Sequence, residues 1–496
     1  MSLALFLTFS VALVSLIYLW VKKKYSFHAE NGFLYDEPSF PFGSFKGVVT
    51  KTHPVYIMKR IYDKFKGKAP AVGFYRLLSP SVMILDLDLI KTILIRDFDN
   101  FHNRGIYYNE VHDPLSAHLF NIEDQAWRKM RVKLTPTFTS NKMKMMFTTV
   151  LNVSNHMVEM IKSEENLDMI EVKEILAKFT TDVIGSSAFG LNLNAIKDPN
   201  SEFRRMGRKV FNTNTNVILK FMIFNAFKST ARKFGGRIFD AEVTDFFTRI
   251  VKETIDYRLK NKIERNDFMD LMIKMYIEPD ENGDKLTFNQ VLAQTFLFFI
   301  AGFETSSSTL TFVLYNLALN QDIQDKLRDE IKSTILKYDN KITYEAMNDM
   351  KYLQMVIDET LRLQGPVLGQ IRIADNDYQI PNTKLVIRKG THISIPTYCI
   401  HQDPEYYPEP EKFDPERFNE ENKKNRHQMA FTAFGSGPRN CIGERFGYMQ
   451  SKIGLISLLL NFKFHPTEKT QVPMIFDKRS PILAPPDGMW LKVEKL

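Results

Sequence analysis

Phe434-Gly-Ser-Gly-Pro-Arg-Asn-Cys441-Ile-Gly443 holds one of only two cysteines in a chain of 496 residues. Glycines punctuate this stretch, an arginine precedes the cysteine by two positions, and an apolar pattern at helical spacing comes after it. Glycine at 435, 437 and 443 permits positive φ and lets backbone approach a flat group where a Cβ would clash. The run after Gly443, Glu-Arg-Phe-Gly-Tyr-Met-Gln-Ser-Lys-Ile-Gly-Leu, predicts a helix. Cys441 therefore falls at a helix N-terminus, where the macrodipole favours an anionic sulfur. A lone cysteine is most often a buried, inert thiol. A thiolate in such a loop also suits the axial position of a haem iron, where it pushes electron density onto the metal and favours O–O cleavage. Backbone N–H groups would then tune the sulfur. Arg439 is either a solvated surface arginine or a partner for a haem propionate, since guanidinium matches carboxylate geometry.

The decapeptide resembles the haem-binding signature of the cytochrome P450 family at Phe434, Gly437, Arg439, Cys441 and Gly443. The resemblance extends over nearly everything from Pro38 onward. It implies a mainly α fold with a small β portion, a single large catalytic domain, and haem b held by the Cys441 thiolate. Phe434 and Ala301 are expected against that cofactor.

Residues 287–320 carry the longest uninterrupted helical pattern. Thr287 and Gln290 make a Thr-x-x-Gln capping box, and no proline intervenes before Asn320, so the helix would span about 50 Å. Its middle, Phe296-Leu-Phe-Phe-Ile-Ala-Gly-Phe303, is apolar all round and reads as buried. Glu304 and Thr305 come next, with no basic residue at i±3 or i±4. A buried carboxylate without a partner tends to take up a proton, and an acid beside a hydroxyl suits a proton relay. Gly302 would let the helix open or a macrocycle approach. A hydrated glutamate in a Ser/Thr-rich helix is the plain alternative. Ala301-Gly-Phe-Glu-Thr-Ser306 resembles the family's oxygen-activation motif, which makes Glu304 and Thr305 the expected catalytic pair.

Glu359-Thr-Leu-Arg362 sets opposite charges at i and i+3 of one helix face, a pattern that Glu202-Phe-Arg-Arg205 shares. Exposed, such a pair contributes only ~0.2–1 kcal/mol. The resemblance separates the two: with Phe413-Asp-Pro-Glu-Arg417 downstream, it implies that Glu359, Arg362 and Arg417 lock together beneath the cysteine loop. Trp127-Arg-Lys-Met-Arg131 places an indole N–H and a guanidinium one turn apart. The resemblance assigns both to a propionate, with Arg104 and Arg372 as further propionate partners. It departs from the family at Gly365-Pro366, where microsomal relatives carry two adjacent prolines; glycine there should loosen the turn. Cys399, in Ile-Pro-Thr-Tyr-Cys-Ile, sits in a strand-like apolar run and reads as inert core.

Met1–Val21 is uncharged, and Lys22-Lys23-Lys24 comes directly after it. About 20 apolar residues span a bilayer. Basic residues after the span argue for an anchor over a cleaved signal peptide and leave the downstream chain in the cytosol. The expected organisation is 1–21 as transmembrane signal anchor, 22–45 as a basic, proline-containing linker and 46–496 as the catalytic domain. Short strands are expected near 71–75, 81–86, 377–380, 384–388 and 391–395. The 66 basic and 58 acidic side chains give a formal charge of +8. Spread along the chain, it points to an anionic membrane surface or an acidic partner and not to nucleic acid. Two cysteines exclude a disulfide framework and a Cys-rich zinc site.

No Gly-rich dinucleotide or flavin motif is visible, so electrons must come from another protein. The resemblance implies a microsomal monooxygenase of the endoplasmic reticulum membrane, with O2 as co-substrate. NADPH would act through NADPH-cytochrome P450 reductase, with cytochrome b5 as a further candidate partner. The likeness is greatest to insect members that oxidise foreign compounds. Pocket linings are expected at 105–120, 203–227, the residues before Glu304, 367–371 and 480–483. Phe211, Phe221, Phe224, Phe227, Phe296, Phe299 and Phe303 make an aromatic reservoir for lipophilic substrates, although most of the 40 phenylalanines must be core. A narrow hormone or lipid hydroxylase, a peroxide-rearranging isomerase and a non-catalytic haem sensor are the alternatives. Retention of Glu304-Thr305 argues against the isomerase.

Overall fold

A computed structural model describes residues 3–48, 50–191, 193–198, 201–211, 215–265, 267–281 and 283–496. Met1 and Ser2 of the expected anchor and residues 212–214 of the expected pocket segment 203–227 lie outside the described residues. Helix accounts for 56% and strand for 9%, the mainly α architecture that the sequence implies. The chain divides into two compact units.

The first unit comprises Met1–Gly105, Leu368–Ile400 and His427–Arg439. It opens with helix α1 (Leu3–Tyr25), which runs through the lysine cluster at 22–24. Its stretch Leu5–Tyr25 has a mean hydropathy of 2.0 and is 6% buried, so most of its apolar side chains are exposed and suit a lipid surrounding. Residues past Tyr25 pack onto the sheet of this unit. Leu34 O accepts from Gly73 N at 2.8 Å, and the Asp36 carboxylate receives both terminal nitrogens of Arg60, at 2.8 and 2.7 Å.

That sheet contains β1 (Ala71–Arg76), β2 (Ser79–Ile84), β3 (Gln370–Ile373) and β4 (His392–Ile395), in the order β1-β2-β4-β3. Val82 pairs in parallel with Ile393, and Ile393 pairs antiparallel with Arg372, which seats that arginine on an edge strand. β3 is absent from the expected strands, and the one expected at 384–388 shrinks to Val386–Ile387. Cys399 corrects a further expectation: it lies in the helix Thr397–His401, not in a strand. Pro396 has no N–H to extend the ladder past Ile395. The thiol is buried, and burial pushes its pKa far above the usual range.

The second unit comprises Ile106–Val367, His401–Arg426 and Asn440–Leu496. Its principal helices here are α2 (Asp124–Leu134), α3 (Val172–Ile184), α4 (Phe288–Leu319), α5 (Lys351–Gln364) and α6 (Glu444–Asn461). Strands β5 (Phe462–Pro466) and β6 (Trp490–Lys495) pair antiparallel, and Ile170–Glu171 adds to the other edge of β6. The Thr287 capping box forms as expected, with Gln290 N on Thr287 Oγ1 at 3.2 Å and Thr287 N on Gln290 Oε1 at 3.1 Å. Such a cap contributes about 1 kcal/mol.

Most of α4 is buried, from Phe296, Phe299 and Phe303 through Ser306 to Ala318, so this apolar helix is a core element and not a membrane span. The Phe299 ring lies 5.7, 5.2 and 5.3 Å from those of Phe203, Phe247 and Phe303. These phenylalanines belong to the packed core, whereas Phe221 and Phe227 are exposed. Gly365, after α5, takes φ −58° and ψ 135°, the extended form that Pro366 imposes on its predecessor. A Cβ there would overlap the Leu361 carbonyl oxygen. Glycine therefore permits a close approach of the turn to the Leu361 carbonyl.

Candidate active site

Cys441 is exposed, and Gly443, two residues on, is the N-cap of α6. This is the helix-terminal placement that the apolar pattern after Gly443 predicts. Gly435 and Gly437 take φ of 78° and 72°, conformations that other residues rarely adopt. Gly437 also leaves room for the Leu94 carbonyl oxygen, which a Cβ would overlap. Gly443 corrects the expectation of positive φ: at −94° its backbone is open to any residue.

Arg131, expected at a propionate, turns both terminal nitrogens to Asn440, a residue that sequence reasoning missed. Arg131 Nη1 donates to the Asn440 carbonyl at 2.9 Å, and Nη2 donates to Asn440 Oδ1 at 2.8 Å. The guanidinium of α2 thus grips the residue directly before Cys441. Burial pushes the Arg131 pKa down, and the nearby Cys441 charge opposes that shift. Trp127, one turn earlier on α2, is 3% exposed. Asn440 carries no sequence signal of its own beyond adjacency to the cysteine.

The expected lock is present. Arg362 donates from Nε and Nη2 to the two Glu359 oxygens at 2.7 and 2.8 Å, and both side chains are fully buried. Arg362 also donates to the carbonyls of His401 and Pro410, each at 2.8 Å. The Asp414 N–H reaches Glu359 Oε1 at 2.9 Å, and Arg417 Nε lies 3.4 Å from the same oxygen. Glu202 and Arg205, the decoy with the same spacing, form an exposed 3.7 Å pair.

On α4, Ala301 is exposed and Thr305, one turn on, is half-exposed, while Phe303 and Glu304 are buried. The Thr305 hydroxyl donates to the Ala301 carbonyl at 2.6 Å. Among the described residues no ion pair reaches Glu304. Gly302 corrects the expectation of an opening. The helix is unbroken there, and a Cβ would run into the Ile184 side chain of α3. Glycine serves helix–helix approach.

The remaining candidates lie in the first unit. Arg104 Nη2 donates to the Arg439 carbonyl at 3.1 Å, and Arg439 Nε donates to the His102 carbonyl at 2.8 Å, so these two segments hold each other. Phe434 is partly buried in the same loop. Arg372 is 1% exposed, donates from Nη1 to the Ile371 carbonyl, and keeps Nε and Nη2 buried without an acceptor among the described residues. Burial pushes its pKa down to about 10.

A haem requires a thiolate for its iron and cations for its propionates. The exposed Cys441 sulfur fits the first need. Within the first unit taken by itself, the Arg372 nitrogens that lack an acceptor among the described residues suit a carboxylate, because a buried guanidinium short of acceptors is relieved by one.

The family model described as Cytochrome P450 matches residues 37–493. "Probable cytochrome P450 6a14" of Drosophila melanogaster is 45% identical over 98% of this chain and 100% of its own length. "Probable cytochrome P450 6a20" of the same fly is 43% identical, with both chains covered in full. "Cytochrome P450 6A1" of Musca domestica is 42% identical over 98% of this chain and 96% of its own.

Proposed function

The chain belongs to the cytochrome P450 family of haem-thiolate monooxygenases, and from that premise we propose that it oxidises lipophilic foreign compounds while anchored in the endoplasmic reticulum membrane by α1. The reaction is R–H + O2 + NADPH + H+ → R–OH + H2O + NADP+. The electrons are supplied by NADPH-cytochrome P450 reductase, with cytochrome b5 as a second donor. Haem held by a cysteine thiolate supplies O2 activation and O–O cleavage.

Cys441 is the ligand, and Arg131 keeps its loop in place through Asn440. The Trp127 indole donates to a propionate, and Arg104, Arg372 and Arg439 supply positive charge for the same groups. Ala301 and Phe434 pack against the ring. Glu304 gathers protons, and Thr305 holds one at Oγ1 for transfer. The substrate class rests on the likeness to insect members that oxidise foreign compounds.

The observation that carries this reading is the exposed Cys441 thiol, set in a positive-φ glycine loop and gripped by Arg131 through its neighbour. The carbon-monoxide difference spectrum of the reduced protein tests it. A thiolate-type Soret band is expected, lost in Cys441→Ser and kept in Cys399→Ser; an imidazole-type band refutes it. With purified reductase, turnover of a broad panel of lipophilic foreign compounds supports the substrate class. Turnover confined to one endogenous hormone overturns it.

A further inference from the structure

Every carbonyl of one turn of α4 receives a side-chain donor. The Ala301 oxygen accepts from Thr305 Oγ1 at 2.6 Å and the Gly302 oxygen from Gln450 Nε2 at 3.0 Å. The Phe303 oxygen accepts from Thr180 Oγ1 at 2.9 Å and the Glu304 oxygen from Ser307 Oγ at 3.1 Å. A carbonyl has two lone pairs, so each donor shares its oxygen with the ladder of the helix itself. Side chains inserted into a ladder set where a helix bends and how easily it opens.

Two of these donors come from other helices: Thr180 from α3 and Gln450 from α6. Gln450 is fully buried, nine residues after Cys441, on the helix into which the cysteine loop leads. Its Nε2 also donates to Ser306 Oγ, so both amide hydrogens serve Gly302 and Ser306, which flank Thr305. Its Oε1 is buried without a donor among the described residues. A buried amide with an unpaired acceptor is unfavourable, and methionine would fill the same volume without that cost. What glutamine adds is its pair of donors aimed at this turn.

We propose that Gln450 is a positioning residue that fixes the Gly302–Ser306 turn, and with it the Thr305 hydroxyl, to the helix carrying the Cys441 loop. One continuous segment, Cys441 to Gln450, then sets both the sulfur and the proton-donating hydroxyl. The inference rests on the monooxygenase reading of Cys441 and Thr305.

Gln450→Met, Gln450→Asn and Thr180→Val in the full-length haem-loaded protein test it. The reduced carbon-monoxide band reports on the haem reading and is expected to stay thiolate-type in all three; its loss in the parent protein overturns that reading alone. Amide hydrogen exchange, followed by mass spectrometry, is expected to rise roughly three- to tenfold at 305–308 in Gln450→Met and less elsewhere. The share of NADPH electrons released as peroxide is expected to rise severalfold, with Gln450→Asn intermediate because it keeps the donors on a shorter arm. Thr180→Val should raise exchange around Phe303 without the same loss of coupling. Unchanged exchange at 305–308, a rise spread evenly over the chain, or unchanged coupling in Gln450→Met each overturns the proposal. Should Gln450→Met fail to fold, Gln450→Asn carries the same two readouts.

Discussion

Arg131 holds Asn440 at two points, its backbone carbonyl at 2.9 Å and its side-chain oxygen at 2.8 Å. The cysteine loop is thereby fixed from α2 one residue before the thiol. Hydrogen bonds from a charged donor contribute about 1.5–3 kcal/mol. Arg131→Ala should therefore lower the thermal midpoint and the fraction of chains with a thiolate-type carbon-monoxide band. Asn440→Ala loses only the side-chain bond and should cost about half as much. Equal losses in the two variants would contradict the backbone contact.

Glu359–Arg362 and Glu202–Arg205 share one sequence spacing and differ in burial, fully buried against about half-exposed. Arg362→Met should cost about 3–5 kcal/mol in urea unfolding, since it leaves a buried carboxylate. Arg205→Ala should stay within about 0.5 kcal/mol.

Asp113 is 1% exposed and accepts from Ile238 N at 2.8 Å. Burial pushes its carboxyl up to about 6, and the Ile238 and Phe239 N–H groups oppose that shift. A folded pKa above the usual carboxylate value means the contribution to stability is full below about pH 4 and is lost as the pH rises through about 6. Asp113→Asn removes that loss and should stabilise the protein at pH 7.5 by up to about 3 kcal/mol. The gain should shrink towards pH 5. A gain independent of pH would rule out titration of Asp113 as its source.

Gly437 combines φ of 72° with a Cβ position that overlaps the Leu94 carbonyl oxygen. Gly437→Ala should cost more than about 1 kcal/mol. Gly443→Ala, at φ −94° with the Phe138 ring 3.7 Å from the new Cβ, should be tolerated. Thermal unfolding of the two variants separates them.

Thr305→Ala removes the hydroxyl that donates to the Ala301 carbonyl. Haem content should be kept while electrons are diverted into peroxide, and Thr305→Ser should restore much of the coupling. Unchanged product per NADPH in Thr305→Ala would remove Thr305 from proton delivery.

Helix α4 was legible to within a residue at each end, because a capping box and an unbroken apolar pattern are local signals. β3 was not, because four residues pair only where Ile393 happens to lie. Cys399 was misread for a related reason: an apolar run fits strand and buried helix alike, and only Pro396 marked the change.

The sequence by itself determined the local patterns: a cysteine in a glycine loop ahead of a helix, an acid–hydroxyl pair in an apolar helix, and the charge spacing at Glu359–Arg362. Each is a short-range pattern whose meaning is carried by residue type and spacing. The tertiary structure decided which partners those residues meet. Spacing cannot tell a buried Glu359–Arg362 from an exposed Glu202–Arg205, nor show that Arg131 grips Asn440 or that Gln450 reaches Gly302. Those outcomes depend on desolvation and on contacts between segments far apart in the chain, and both arise only when the helices pack.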